Sequence, residues 1–355
     1  MDQKVAFRSE AWPEGLTERL SEGGPKAGPA VEVATRACSN LALVKYWGKR
    51  DEHLNLPAVG SISVTLAGLF SEARVSRATG REDDVLVNGQ APPPEARAKL
   101  VRFLDLVRSS IRDTDRLRVH VSTNFPVAAG LASSASTFAA LAVALDVLFG
   151  LGLEATQLSA LARRGSGSAA RSVFGGFVEW LAGRAADGSD SVARQIAGPE
   201  HWPLAVVVAI TRQAPKKWSS SVGMRLTENS PFFPAWIASQ ANDLQAARRA
   251  IAERDLAALG AVAEHSAFKM HALMMAAQPA VLYWEPATVA VLQCVQALRE
   301  AGVPAFASID AGPQVKILCS QEDREQVVKA VKQIPELQVL CSQPGPGPEI
   351  LEVKQ

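Results

Sequence analysis

The sequence has few cysteines, almost no net charge and no long hydrophobic run. Its 355 residues include four widely separated cysteines and no C-x-x-C pair, which argues against a disulfide framework or a cysteine zinc site. Lysine and arginine number 37 against 36 aspartate and glutamate, so a broad basic surface for nucleic acid is excluded. Apolar runs such as 204–210 are much shorter than the roughly 20 residues of a membrane-spanning helix. We therefore expect no membrane or nucleic-acid partner.

The length and the first residues predict the organisation of the chain. Residues 1–29 mix charges with proline and glycine and have no apolar signal segment, so we expect a flexible leader and a cytoplasmic protein. A chain of this length exceeds one ordinary hydrophobic core, which predicts two domains. We place their boundary in the loop-rich stretch 183–203. The first domain then covers 30–203 and the second covers 204–350.

Strand and helix patterns alternate in both halves of the sequence. Short apolar or alternating runs predict strands at 117–121, 173–180, 204–210, 315–319 and 337–341, and one that ends at Asp310. Apolar residues at helical spacing predict helices from 133 to a stop at Gly150, and over 153–164, 241–259, 286–300 and 321–333. This order of elements predicts an α/β or α+β protein.

One loop has the composition of a phosphate cradle. The chain has no P-loop string, and the loose G-x-G-x-x-A match at 165–170 follows a helical pattern where a dinucleotide fingerprint needs a strand. In contrast, 126–136 is rich in small residues and leads directly into a helix, whose free N–H groups and positive dipole end attract anions. Ser133, Ser134 and Ser136 add hydroxyl groups. A plain capped helix fits the composition equally well.

Three further stretches carry charged groups in unusual settings. Segment 40–51 places two lysines four residues apart beside two aromatic residues, although a solvated charged turn remains an alternative. A glycine and serine loop at 165–172 contains Arg171, whose planar fork suits a carboxylate or a phosphate; a flexible connector is the alternative. Asp310 lies between a strand and a glycine turn, where aspartate usually bonds its own backbone.

Taken together and in this order, the four stretches resemble the mevalonate diphosphate decarboxylases of the galactose, homoserine, mevalonate and phosphomevalonate (GHMP) kinase superfamily. The matching strings include Lys-Tyr-Trp-Gly-Lys-Arg at 45–50 and Asp-Ala-Gly-Pro at 310–313. Shorter matches lie at 61–66 and 270–272, and the resemblance covers about residues 31–345. It implies an α+β GHMP-kinase fold with an N-terminal ribosomal-protein-S5-domain-2-like domain, a C-terminal ferredoxin-like domain and a cleft between them.

The resemblance also implies a reaction. ATP phosphorylates the 3-hydroxyl of 5-diphosphomevalonate, and loss of phosphate and CO₂ then gives isopentenyl diphosphate, in the mevalonate pathway of isoprenoid biosynthesis. ATP and Mg²⁺ are the implied cofactors, and a homodimer is plausible by the same resemblance.

Residue roles follow from the matching positions. The implied catalytic residues are Asp310, Lys45 and Arg171. The implied substrate-binding residues are Tyr46, Trp47, Gly48, Lys49, Ser166, Gly167, Ser168, Ala169, Ala170 and Ser221. The implied ATP-binding residues are Asn124, Gly130, Leu131, Ala132, Ser133, Ser134 and Ser136, with Ser134 also a Mg²⁺ ligand.

Several positions depart from the family pattern and leave alternatives open. Val127 and Thr137 alter the phosphate loop, Gln314 replaces the usual asparagine, and Ser221 stands where other members carry threonine or arginine. The substrate could therefore carry one 5-phosphate instead of two, which would give isopentenyl phosphate. A superfamily kinase that stops at the phosphorylated product is a second alternative. A non-catalytic RNA-binding protein is a third, which the balanced charge disfavours.

Overall fold

The computed structural model describes residues 30–125, 133–211 and 217–355. The predicted leader and three predicted ATP-binding residues, Gly130, Leu131 and Ala132, lie outside these ranges. The strands are β1 (Glu32–Val44), β2 (Lys49–Asp51), β3 (Leu56–Pro57), β4 (Ser61–Ala78), β5 (Asp84–Val87), β6 (Arg116–Thr123), β7 (Phe177–Trp180), β8 (Ala193–Ala197), β9 (Ala205–Ile210), β10 (Phe306–Ile309), β11 (Val315–Cys319), β12 (Gln338–Ser342) and β13 (Glu349–Lys354). The α-helices are α1 (Pro94–Ile111), α2 (Ser133–Phe149), α3 (Ala155–Gly165), α4 (Ser220–Thr227), α5 (Phe233–Glu253), α6 (Leu256–Met275), α7 (Pro286–Glu300) and α8 (Arg324–Val331).

The larger sheet has seven strands and forms one side of the molecule. Its main order is β13-β1-β4-β6-β5, with β7 paired to β4 and β8 to β7. Helix α2 packs on this sheet because Phe138, Leu141, Leu145 and Leu148 recur on one face and are buried there, which confirms the predicted helix. This packing holds the start of α2 near the end of β6.

The smaller sheet has four antiparallel strands in the order β10-β11-β9-β12. All six residues of β9 are buried because both faces of the sheet are covered. Val207 and Ala209 pack into one apolar cluster, and Val206 and Val208 pack into another. The chain thus combines α-helices with strands that are mostly antiparallel and form separate sheets, which confirms the α+β alternative.

The end of the chain returns to the larger sheet. Beyond β12, the backbone N–H of Ala67 donates to Gln343 O at 2.9 Å, and β13 then pairs antiparallel with β1. Glu32 lies opposite Lys354 in this ladder. The second predicted domain, 204–350, therefore shares its last residues with the sheet of the first.

Several predicted element bounds differ from the structure. The helix predicted over 241–259 is two helices, because Arg254 takes a left-handed conformation (φ 56°) and Asp255 caps α6. Gly260 is not a helix stop: it lies inside α6, where a Cβ would overlap the ring of Phe306. The strand predicted over 173–180 begins only at Phe177.

The remaining differences are small. The helix predicted over 321–333 covers only Arg324–Val331, and the stretch 183–203, predicted as loop, contains β8. The helix predicted over 286–300 and the strand predicted over 315–319 are confirmed. Across the described ranges, every helix is too short or too polar to cross a membrane.

Candidate active site

The centre of the site is an ion pair between Lys45 and Asp310. Lys45 directly follows β1 and Asp310 directly follows β10, so the ends of the two sheets meet here. Lys45 Nζ lies 2.7 Å from Asp310 Oδ1. The structure therefore brings together two of the three residues that the sequence predicts as catalytic.

The ammonium group of Lys45 is enclosed by acceptors. Its Nζ also donates to Ala42 O and to Ser308 Oγ, each at 2.8 Å, and the residue is only 1% exposed. Burial lowers the pKa of Lys45 to about 8, although the Asp310 carboxylate favours the charged form. Three acceptors match the three protons of an ammonium, so the cation has a fixed position. Ser308 is a site residue that sequence reasoning missed.

Asp310 lies between two lysines. Lys316, from β11, places its Nζ 3.1 Å from Asp310 Oδ2, while Lys45 holds Oδ1. Burial opposes ionisation of Asp310, but the Lys316 and Lys45 ammonium groups outweigh it and hold the pKa of the carboxyl well below its usual range. Sequence reasoning also missed Lys316. The signal was a single lysine in the otherwise apolar run of β11.

Arg171 is the third predicted catalytic residue, and it is held from two sides. Its Nη1 donates to Ser61 Oγ at 2.6 Å and its Nη2 to Asn40 Oδ1 at 3.2 Å. The Asn40 amide is itself fixed, because Nδ2 donates to Ser172 Oγ at 2.8 Å. Burial lowers the pKa of Arg171 to about 10, while the Asp310 carboxylate opposes this shift. Arg171 remains a fixed cation at neutral pH.

A short 3₁₀ helix, Gly167–Ala170, directly precedes Arg171 and consists of predicted substrate residues. A Cβ on Gly167 would lie 2.8 Å from Tyr46 Oη and 2.9 Å from the Trp180 ring, so only glycine fits. Tyr46 packs edge-on to Trp180 with ring centroids 4.8 Å apart. The structure thus joins Tyr46 and Gly167 in one wall of the site. Ala169 and Ala170 are fully buried behind it.

Serine hydroxyls connect this wall to the start of α2. Ser134 Oγ lies 3.2 Å from Ser166 Oγ, which lies 3.4 Å from Ser168 Oγ. Ser133 is the first residue of α2, and the first turn of this helix carries no acidic residue, so its free N–H groups can meet an anion. Predicted ATP-binding and substrate-binding serines therefore share one surface.

Some predicted residues have other contacts in the structure. Trp47 is 1% exposed and its Nε1 donates to Thr227 Oγ1 at 2.7 Å in a packed cluster. Ser136 Oγ is fully buried, 2.7 Å from Ser71 Oγ, between α2 and β4. Asn124 bridges the β4 backbone by donating to Gly68 O at 2.7 Å. Trp47 and Ser136 are buried in these contacts, whereas Asn124 is exposed just after β6; their roles toward the ligands stay predictions.

Three more predicted substrate residues lie just before β2, at its first position and in α4. Lys49 Nζ donates to Asn55 Oδ1 at 2.7 Å, and burial lowers the pKa of Lys49. Gly48 has φ +85°, and a Cβ there would lie 2.9 Å from the Phe233 ring. Ser221 is exposed in the first turn of α4, a helix that Ser219 caps through the Val222 N–H. Lys49 is held by Asn55, Ser221 is exposed, and Gly48 is required for its positive φ; the place of all three at the substrate stays a prediction.

His271 lies close to the Lys45 and Asp310 pair without a charge of its own. It is 1% exposed, with its ring centroid 5.3 Å from that of Trp284. Burial and the Lys45 charge lower the pKa of His271 to about 3, so the ring is neutral at physiological pH. Its burial in an aromatic cluster favours a structural role.

The geometry can be compared with known proteins. Residues 37–193 match the family model described as the diphosphomevalonate decarboxylase-like N-terminal domain, and 206–351 match the mevalonate 5-diphosphate decarboxylase C-terminal domain. A Homo sapiens diphosphomevalonate decarboxylase is 37% identical over 336 residues, which cover 85% of this chain and 80% of the relative. The chain belongs to the diphosphomevalonate decarboxylase family.

Solved structures of this decarboxylase family share the fold over nearly the whole chain. Mevalonate diphosphate decarboxylase from Staphylococcus aureus aligns with a TM-score of 0.85 at 36% identity and covers 90% of this chain and 98% of its own. A complex described as MDDEF with MVAPP, AMPPCP and magnesium aligns with a TM-score of 0.86 at 36% identity, over 91% and 99% of the two chains. The predicted α+β fold of the GHMP superfamily, with its two parts, is confirmed.

Proposed function

We propose that this protein catalyses the ATP-dependent decarboxylation of 5-diphosphomevalonate to isopentenyl diphosphate, with release of ADP, phosphate and CO₂. One observation carries the proposal: a carboxylate, Asp310, lies between buried lysines in a site that also holds a buried arginine, Arg171. The family membership supports the same reaction, because relatives bear the name diphosphomevalonate decarboxylase.

The first step is transfer of the γ-phosphoryl group to the 3-hydroxyl. The hydroxyl oxygen bonds to phosphorus, the bridging P–O bond breaks to leave ADP, and Asp310 accepts the hydroxyl proton. In a loose phosphoryl-transfer transition state the hydroxyl keeps its proton until late, so a carboxylate with a low pKa is sufficient as acceptor. Lys45 stabilises the charge on Asp310 and on the reacting oxygen.

The second step breaks two bonds. The C–O bond to the new 3-phosphate breaks and phosphate leaves with the electron pair, while the C–C bond to the carboxylate supplies the pair of the new C=C bond and CO₂ leaves. Arg171 grips the substrate carboxylate in the first step, since a planar guanidinium suits it. Its two bonds to Ser61 and Asn40 fix its direction.

The remaining site residues are proposed to bind the phosphates. Tyr46, Lys49, Ser166, Ser168 and Ser221 would face the substrate diphosphate. The start of α2 suits the ATP phosphates because its N–H groups and dipole favour anions and no acidic side chain lies in its first turn.

Mg²⁺ fits the same place. Within 30–125, 133–211 and 217–355 no cluster of three or more histidine, cysteine, aspartate or glutamate side chains could hold a metal. Mg²⁺ usually takes most of its ligands from nucleotide phosphates and water, and Ser134 Oγ would then be the protein ligand. The bound ion would neutralise charge on the phosphates.

One experiment tests the proposal and its alternatives. Purified protein is incubated with ATP, Mg²⁺ and carboxyl-labelled mevalonate that carries one or two 5-phosphates, and ADP, phosphate and CO₂ are measured. CO₂ from the diphosphate is the expected result. CO₂ only from the monophosphate would assign the shorter substrate, and ADP without CO₂ would indicate a kinase. A folded protein that releases neither would refute the proposal.

We also propose the organisation around this activity. Domains over 30–203 and 204–350 are supported by family matches to 37–193 and 206–351. A cytoplasmic homodimer is proposed from the family resemblance. Light scattering of the purified protein tests the dimer.

A further inference from the structure

Lys316 is buried in a strand where lysine is rare. All five residues of β11 are buried, and Lys316 itself is 1% exposed. Val315, Ile317 and Cys319 point to the opposite face, into an apolar cluster. Burying an ammonium group is costly unless a specific partner stabilises it. A lysine at this position therefore calls for a reason beyond packing.

The strand pairing aims Lys316 at the proposed proton acceptor. Lys316 lies directly opposite Ser308 in the antiparallel ladder of β10 and β11, so both side chains are on one face of the sheet. Ser308 Oγ accepts from Lys45, and Lys316 Nζ contacts Asp310 Oδ2 at 3.1 Å. Strand β11 thus brings Lys316 to Oδ2 of the carboxylate, while Lys45, which directly follows β1, holds Oδ1.

The positive charges around Asp310 outnumber the single negative charge of its carboxylate. Lys45 would by itself neutralise it, yet Lys316 contacts it and Arg171 interacts with it electrostatically. His271 is the other titratable group beside it, and its pKa of about 3 leaves it uncharged. The excess positive charge suits an anionic substrate, and it also biases the carboxylate strongly toward ionisation.

We propose that Lys316 is a positioning residue of the reaction. It holds Oδ2 of Asp310 and fixes the orientation of the carboxylate, so that a free lone pair points at the substrate hydroxyl in the correct direction. Each carboxylate oxygen accepts two hydrogen bonds, so both lysine contacts leave room for the hydroxyl. This inference rests on the proposed function, because it concerns the same proton acceptor.

The test replaces Lys316 by methionine, which keeps the length of the side chain and removes its charge. An opposite charge at this distance lowers a carboxyl pKa by about one to three units, so loss of Lys316 leaves the pKa of Asp310 at most near that of an ordinary carboxyl and the group still ionised near neutral pH. The readout is therefore the split between kcat and KM near neutral pH. We expect kcat near neutral pH to fall at least about tenfold, in the range of a weakened general base. Nucleotide affinity, measured by fluorescence titration, should change less than about twofold, since the proposed role of Lys316 is exerted through its contact with Asp310.

Two further variants separate charge from structure. Lys316→Arg keeps the charge and should return kcat near neutral pH toward that of the unmodified protein. Lys269→Met is the matched control, because Lys269 is also a partly buried lysine paired with an aspartate, Asp243, at 2.5 Å, outside the site. Its kcat should match that of the unmodified protein.

Each result decides the inference. A kcat of Lys316→Met within about threefold of that of the unmodified protein overturns it, as does an equal loss of kcat in Lys269→Met; both margins are small beside the expected loss of about tenfold. If circular dichroism shows that the methionine variant is unfolded, Lys316→Gln is measured by the same criterion. Absence of CO₂ from the unmodified protein would instead reject the proposed function.

Discussion

Replacing Asp310 by asparagine removes the negative charge between Lys45 and Lys316 but keeps the shape of the side chain. The amide oxygen can still accept the bond that Lys45 makes at 2.7 Å, so the site geometry should survive. The variant cannot accept the hydroxyl proton. Positioned proton acceptors contribute about 10² to 10⁴ in rate, which predicts a loss of about 3 to 5 kcal/mol of transition-state stabilisation.

The electrostatic effect of this change has a known sign. Lys45 loses the anion that supports its charge, and burial then lowers the pKa of Lys45 further below about 8. Removing one partner of a buried ion pair can cost about 3 to 5 kcal/mol of folding free energy, and the retained hydrogen bond should keep the cost at the lower end. Thermal unfolding should therefore be measured beside turnover.

The assay follows CO₂ release and nucleotide binding in Asp310→Asn and in the control Asp243→Asn. Asp243 also pairs with a lysine, at 2.5 Å, but lies on α5 and is not among the residues to which the proposal gives a role. We expect nearly complete loss of CO₂ release with normal nucleotide affinity in the first variant and ordinary turnover in the second. Turnover of Asp310→Asn within about tenfold of the unmodified protein would refute the role of Asp310.

Three further predictions concern other parts of the molecule. If the Lys45 charge is needed, kcat/KM should decline as pH rises through about 8, the pKa of Lys45. Bound anionic substrate should shift the corresponding decline in kcat to higher pH. A kcat/KM profile that stays flat to about pH 10 would contradict this prediction. Arg171→Lys should lower kcat/KM for the substrate by about 10 to 100-fold and leave nucleotide affinity unchanged, because one ammonium group cannot replace the planar guanidinium. An equal loss of affinity for substrate and nucleotide would count against this role of Arg171. Gly260→Ala should lower the free energy of unfolding by about 1 to 3 kcal/mol, measured in denaturant, because the added Cβ would overlap the Phe306 ring. In the control, Gly80→Ala, the nearest atom lies 3.5 Å from the added Cβ, and the loss should be less than about 1 kcal/mol. Equal stability of the two alanine variants would show that the packing at Gly260 yields without cost.

Local patterns predicted some elements well and others poorly. Helix α7 begins at Pro286, and its apolar spacing and the glycine beyond its end are sufficient to define it. The predicted helix over 241–259 missed the break at Arg254, and its end was wrong because Gly260 resembles a helix stop, whereas in the structure Gly260 makes room for Phe306. A glycine has the same appearance in sequence in either role, and only the neighbour across the interface distinguishes them.

The candidate site likewise contains residues that the sequence identified and residues that only the structure revealed. Lys45, Arg171 and Asp310 were accessible from sequence because each lies in a motif of the family. Ser308 and Lys316 were not, although both contact this centre. In the sequence, Lys316 is an isolated charge in an apolar strand. Its partner, Asp310, lies on the other side of the turn, directly after the neighbouring strand β10. Trp47 and Ser136 lie in the same motifs, yet their side chains are buried in contacts with Thr227 and Ser71.

The sequence by itself determined the family, the α+β class and the residue types that can carry the reaction, because short motifs and apolar spacing are local properties of the chain. Only the tertiary structure decided which charges meet. Lys45 and Asp310 are separated by 265 positions and come within 2.7 Å because the ends of β1 and β10 converge. Electrostatic effects depend on distance and burial, and both are properties of packing.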